Sequence, residues 1–168
     1  MVMSYQLPDT FSGSCFGCSS RGCTICDGTG RSQHRRVLHG TDKASADRIR
    51  AVGFNPSAGG GEGGHMLGIG IYVTNDMTKA AKFARMRSRK TGSPAVVLTL
   101  IVDLGKLKFH DATNCAGQHR PGCTCKNWQA EGYHSQYIAP GKGCAGEEVV
   151  IQSSSQVISI EGEQYVSQ

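Results

Sequence analysis

The chain has 168 residues, 38% of them hydrophobic, and a net charge of +5 from 18 basic and 13 acidic side chains. That is the size of one ordinary domain with a modest core. The mild charge suits an anionic ligand such as a phosphate or pyrophosphate without requiring nucleic acid. Twenty-three glycines, about twice the usual share of roughly 7%, favour loops and tight turns and exclude a helical bundle or coiled coil.

Residues 1–34 are polar, rich in Gly, Ser and Cys, and aperiodic, and read as an arm preceding a domain over 35–168. No basic stretch followed by an apolar run opens the chain, so it does not read as a secretory signal. No segment approaches the ~18 apolar residues of a membrane span. A cytoplasmic or nuclear monomer with no membrane partner is expected. Eight cysteines in a reducing compartment are more often metal ligands than disulfides. Cys15, Cys18, Cys23 and Cys26 follow the pattern C-x2-C-x4-C-x2-C, and the second pair continues to Gly28 and Gly30 as in a zinc knuckle. Four thiolates satisfy a tetrahedral structural zinc and leave no open catalytic position. The short spacer leaves disulfides, free thiols, or ligands from Cys115, His119, Cys123, Cys125 and Cys144 as alternatives.

Regular structure is predicted from Arg35, with a short strand ending at Gly40. Thr41 or Asp42 caps a helix over 43–52, where Ala46, Ile49 and Val52 recur at helical spacing, and Gly53 ends it. Seven glycines within 55–70 predict a flexible loop. Ile71-Tyr72-Val73-Thr74 reads as a strand, and Asn75 or Asp76 caps a second helix over about 77–90 with a basic far end. The apolar run 95–102 is the expected central strand; Gly105 turns it and 106–110 returns. Residues 111–145 read as a long irregular stretch, which is uncommon unless functional or tied down. Strands at 149–151 and 156–160 complete an α+β domain built on antiparallel sheets.

His39-Gly40 at a strand end, Gly70-Ile71-Tyr72 after the glycine loop, and Glu147-Glu148 opening an apolar strand are the candidate functional positions. Adjacent strand residues point to opposite faces, so one of the two glutamates must turn inward. A partly buried carboxylate needs a partner or a task.

In this order these segments resemble the catalytic domain of the poly(ADP-ribose) polymerase-like, diphtheria-toxin-type ADP-ribosyltransferases. Val37-Leu38-His39-Gly40-Thr41 is similar to the family's histidine strand, Gly53-Phe54 to the end of the following helix, and Met66 to Tyr72 to its glycine-Ile-Tyr segment. Lys79, Ala81 and Phe83 stand seven, nine and eleven residues after Tyr72, as the family's lysine, alanine and second aromatic do. Gly132-Tyr133-His134-Ser135 and Glu148-Val149-Val150-Ile151, with Gln156 eight residues on, resemble its last two segments. The small virus-inducible fish proteins of the grass carp reovirus-induced gene 2 type look similar in length and in several segments.

The resemblance implies two packed, mainly antiparallel sheets and a His-Tyr-Glu triad of His39, Tyr72 and Glu148 that takes NAD as substrate. His39 would hydrogen-bond the adenine-side ribose, Gly40 would pair with the nicotinamide amide, and Tyr72 would stack on the nicotinamide ring. Thr41, Gly70, Lys79, Ala80 and Phe83 complete the implied NAD-binding set. Ala80 replaces a serine that often contacts the amide. Phe83 replaces a second tyrosine and keeps the stack. The position of Gln156 favours Glu148 over Glu147 as the triad member. The implied activity is mono-ADP-ribosyl transfer to a protein or nucleic-acid acceptor with release of nicotinamide. NAD hydrolysis and a non-catalytic binding or antiviral interaction module are the alternatives.

Overall fold

The computed structural model describes residues 34–59, 66–110, 125–140 and 146–167. Cys15, Cys18, Cys23 and Cys26 lie outside these residues, as do Cys115, His119, Cys123 and Cys144. The domain is α+β, as expected, with two sheets and two α-helices among the described residues.

The first sheet has β3 (Ala95–Asp103) between β1 (His34–Asp42) and β7 (Val157–Tyr165), both antiparallel to it. The run predicted as a central strand is therefore central. The second sheet runs β2 (Ile71–Val73), β6 (Glu148–Ile151), β5 (Ser135–Ile138), β4 (Leu107–Phe109). Its pairs are antiparallel except β4 with β5.

Two sequence expectations need correction here. The 106–110 segment does not return along β3, because both edges of β3 are already taken by β1 and β7. Gly105, at φ 54°, turns the chain away, and β4 joins the other sheet in parallel with β5. Strand β5 itself lies inside the stretch read as irregular. All four of its residues are buried, so it shows no alternation of polar and apolar positions.

Helix α1 (Lys43–Val52) starts at Asp42, whose carboxylate accepts the Ser45 N–H at 3.0 Å. Helix α2 (Met77–Thr91) starts at Asp76, which accepts from the Thr78 and Lys79 amides, and ends at Gly92 in the left-handed region. The main core fills the space between the sheets, with Val37, Leu98, Leu100 and Val102 from one and Ile71, Val73, Val149 and Ile151 from the other. A smaller cluster of Ala80, Ala84, Ala95 and Val97 seats α2 on the opposite face of the first sheet. The helix comes so close there that a Cβ on Gly40 would lie 1.9 Å from the Ala80 carbonyl oxygen.

Candidate active site

Among the described residues, the two sheets are joined edge to edge at one point. Leu38 N–H donates to the Thr74 carbonyl at 2.7 Å, and Thr74 N–H donates back to Leu38 at 3.0 Å. This bridge brings His39 beside β2, where its Nδ1 lies 2.9 Å from the Tyr72 carbonyl oxygen. A carbonyl only accepts, so Nδ1 carries the hydrogen. Burial, reinforced by the positive charge of Arg87, holds the His39 pKa below its ordinary value, against the opposing effect of the Tyr72 bond. The neutral ring therefore presents Nε2 as a bare acceptor. Phe54 fixes the ring edge-on, with centroids 5.0 Å apart.

Strand alternation sorts the second sheet's residues. Val73, Val149 and Tyr137 share the core face. Tyr72 pairs with Val150, and Val150 with Gln136, on the other face, and Glu148 lies two residues from Val150 on that same face. Tyr72 and Glu148 are thus neighbours on one face, and Glu147 points the opposite way.

Glu148 is buried, and its Oε2 accepts from Lys79 Nζ at 2.6 Å. The Lys79 ammonium also reaches the Gly146 carbonyl at 3.4 Å. Among the described residues no group bonds Glu148 Oε1. Lys79, expected as a ligand-binding residue, is placed on the carboxylate by the first turn of α2.

Glu147 has a different environment. Its Oε1 accepts the Asn75 N–H at 3.2 Å and its backbone carbonyl accepts the Thr74 hydroxyl at 2.8 Å. The same Thr74 oxygen accepts the Asp76 N–H at 3.0 Å. Burial raises the Glu147 pKa, with the Asn75 and Tyr137 bonds acting against it. Glu147 therefore anchors the turn that launches α2.

Tyr72 is half-buried, and its hydroxyl donates to the Gly68 carbonyl at 2.6 Å and accepts the Leu67 N–H at 3.0 Å. Burial pushes its pKa up, so the hydroxyl stays protonated. Gly70 packs against β6, where a Cβ would meet Val150 Cγ2 at 2.4 Å. Thr41 is buried on β1 opposite Val96, Ala80 is buried at the crossing with Gly40, and Phe83 is half-buried on α2.

Other singled-out residues serve the scaffold. Ser135 Oγ donates to the Leu104 carbonyl at 2.6 Å. Gln156 closes a capping box with Ser153 and donates to the Asp103 carbonyl at 2.9 Å. Trp128, whose importance the sequence reading missed, donates its indole N–H to the Leu67 carbonyl at 2.6 Å. A lone tryptophan in a cysteine-rich stretch was the available signal.

A cleft of about 250 Å³ lies at the far end of α2, lined by Arg85, Ser88, Arg89 and Gly92. Among the described residues its lining has no carboxylate, imidazole or phenol. Among the described residues no three His, Cys, Asp or Glu side chains converge as a metal site, and no helix is long and apolar enough to cross a membrane.

A search of the curated proteins finds no match. The family model for the poly(ADP-ribose) polymerase catalytic domain matches residues 15–165. That range takes in both sheets, both helices and the residues His39, Tyr72 and Glu148, and the chain belongs to the poly(ADP-ribose) polymerase catalytic-domain family.

Proposed function

We propose that this protein is an NAD-dependent mono-ADP-ribosyltransferase that uses His39, Tyr72 and Glu148 and transfers ADP-ribose to a protein or nucleic-acid side group. The observation that carries the reading is the Glu148 carboxylate, held by Lys79 through Oε2 with Oε1 unengaged among the described residues, on the same face as Tyr72. In this reading Oε1 accepts the 2′-hydroxyl of the nicotinamide ribose. The bond between ribose C1′ and the nicotinamide nitrogen breaks, its electron pair leaves with nicotinamide, and positive charge builds on the sugar. A fixed negative charge stabilises that state more than the ground state, which raises rate. The acceptor's nucleophile then bonds C1′ and releases its proton to solvent water.

The other two residues bind and orient. The bare Nε2 of His39 suits a ribose hydroxyl as donor. The Tyr72 ring, tethered through its hydroxyl, suits a planar heterocycle. Gly40 is fixed first by its contact with α2, and pairing with the nicotinamide amide is a second role we assign to it. The small virus-inducible fish proteins are the relatives we propose for the chain. We also propose structural zinc on Cys15, Cys18, Cys23 and Cys26, which metal analysis of the purified full chain tests.

The function is tested by incubating the protein with NAD labelled in its adenylate half, beside Glu148→Ala. Label on protein or nucleic acid that disappears in the variant supports the reading. Nicotinamide release without transfer turns it into NAD hydrolysis. Absence of nicotinamide release together with absence of NAD binding would overturn it in favour of a non-catalytic module.

A further inference from the structure

The ring of Tyr72 sits on a strand of only three residues, and its hydroxyl is held by the Leu67 N–H and the Gly68 carbonyl. Those two groups belong to a loop that contains Gly68, at φ 91°, and Gly70. Such a loop does not hold itself still, because glycine loses the most conformational freedom on ordering. Its carbonyls are held from outside, by side chains about 60 residues later in the chain. Cys125 Sγ donates to the Met66 carbonyl at 3.6 Å, Trp128 Nε1 to the Leu67 carbonyl at 2.6 Å, and Gln129 Nε2 to the Ile69 carbonyl at 3.2 Å. Trp128 and Leu67 are both fully buried, in a cluster with Ile138 and Val150.

We infer that Trp128 and Gln129 form a latch on the 66–70 loop that sets the orientation of the Tyr72 ring, which makes Trp128 a positioning residue of the site. Its functional consequence rests on the reading of Tyr72 as the residue that stacks on nicotinamide. Leu67 is the joint of the device. Its carbonyl takes the indole N–H, and its own N–H feeds the Tyr72 hydroxyl. Without the indole N–H, the buried Leu67 carbonyl loses its partner, and a buried unpaired carbonyl drives the loop to move. Any such movement displaces both groups that hold the Tyr72 hydroxyl. A purely space-filling Trp128 would affect stability alone.

The test uses Trp128→Phe, Tyr72→Phe, the double variant, and Gln129→Ala, each in the full chain. Amide exchange of Leu67 is followed by NMR against that of Val149 in the core, and nicotinamide affinity by calorimetry. Trp128→Phe is expected to speed Leu67 exchange about tenfold more than Val149 exchange, the effect of losing one buried hydrogen bond. Gln129→Ala should act in the same direction more weakly, and it serves if Trp128→Phe does not fold. Trp128→Phe and Tyr72→Phe should each weaken nicotinamide binding, and the double variant should bind no worse than the weaker single, because one interaction is removed twice. Leu67 exchange that merely follows Val149, or affinity losses that multiply in the double variant, would overturn the latch. If the wild type binds no nicotinamide, the functional reading of Tyr72 fails, and Leu67 exchange still decides whether the latch exists.

Discussion

Lys79 Nζ and Glu148 Oε2 form a buried ion pair at 2.6 Å, with side-chain exposures of 8% and 9%. The pair joins the first turn of α2 to the first residue of β6. A buried pair of this kind adds little over an apolar replacement of both partners, but removal of one leaves the other charged and uncompensated. Its value lies in orienting the carboxylate. Lys79→Met should therefore cost about 3 kcal/mol of stability, read by urea unfolding, and lower kcat for NAD cleavage. Lys79→Arg, which keeps the charge, should recover part of both.

The two adjacent glutamates should separate cleanly. Glu148→Gln keeps the shape and loses the charge, and should lower kcat by ~10²–10³ while nicotinamide still binds. Glu147→Gln keeps an oxygen for the Asn75 N–H and should retain most of the activity. Glu147→Leu removes the acceptor of that bond and should cost about 1–3 kcal/mol of stability. Parallel kinetics and unfolding curves on the three variants check this. Equal losses of kcat in Glu147→Gln and Glu148→Gln would refute the assignment of faces.

The pH dependence has a definite sign at two positions. His39 titrates below its ordinary value of about 6.5 because burial disfavours the charged ring. Its contribution to stability is present above the unfolded pKa and is lost as pH falls through the lower, folded one. Cleavage should therefore hold steady from weakly alkaline pH through neutrality and fall only on the acid side of the usual histidine range, as Nε2 gains a proton. Glu147 behaves the other way. Its folded pKa is raised above the unfolded value, so its contribution is present at low pH and is lost as pH rises through the folded pKa. Unfolding free energies of wild type and Glu147→Gln across pH 3–8 should diverge in that direction.

Gly40 offers a test of the scaffold alone. A Cβ there would lie 1.9 Å from the Ala80 oxygen and 2.9 Å from the Ala84 nitrogen, both rigid helix backbone. Gly40→Ala must push α2 off β1 and should destabilise by at least about 2 kcal/mol, within the overpacking range. A thermal midpoint unchanged from wild type would contradict the close crossing.

Much of this fold was legible because periodicity and caps agree. Asp42 and Asp76 sit where helix starts were expected, and Gly53 and Gly92 end the two helices. The apolar run of β3 is central because residues on both of its faces are buried. Strand β5 was hidden because burial on both faces removes alternation, and the direction of β4 depends on which edges of β3 are already occupied. At the site, His39, Tyr72 and Glu148 stood out through short motifs. The roles of Glu147, Thr74 and Trp128 depend on contacts between residues 61 to 73 positions apart, which no local pattern encodes. Glu147, just before β6, and Glu148, its first residue, do face opposite ways, as the alternation of neighbouring extended residues requires.

The most direct test of the account is the release of nicotinamide from NAD by the wild type and Glu148→Gln, measured side by side with nicotinamide affinity for both. Release by the wild type, a loss of ~10²–10³ in the variant and nearly unchanged nicotinamide affinity are the expected results. Release that persists in Glu148→Gln, or a wild type that neither binds nicotinamide nor cleaves NAD, would contradict it.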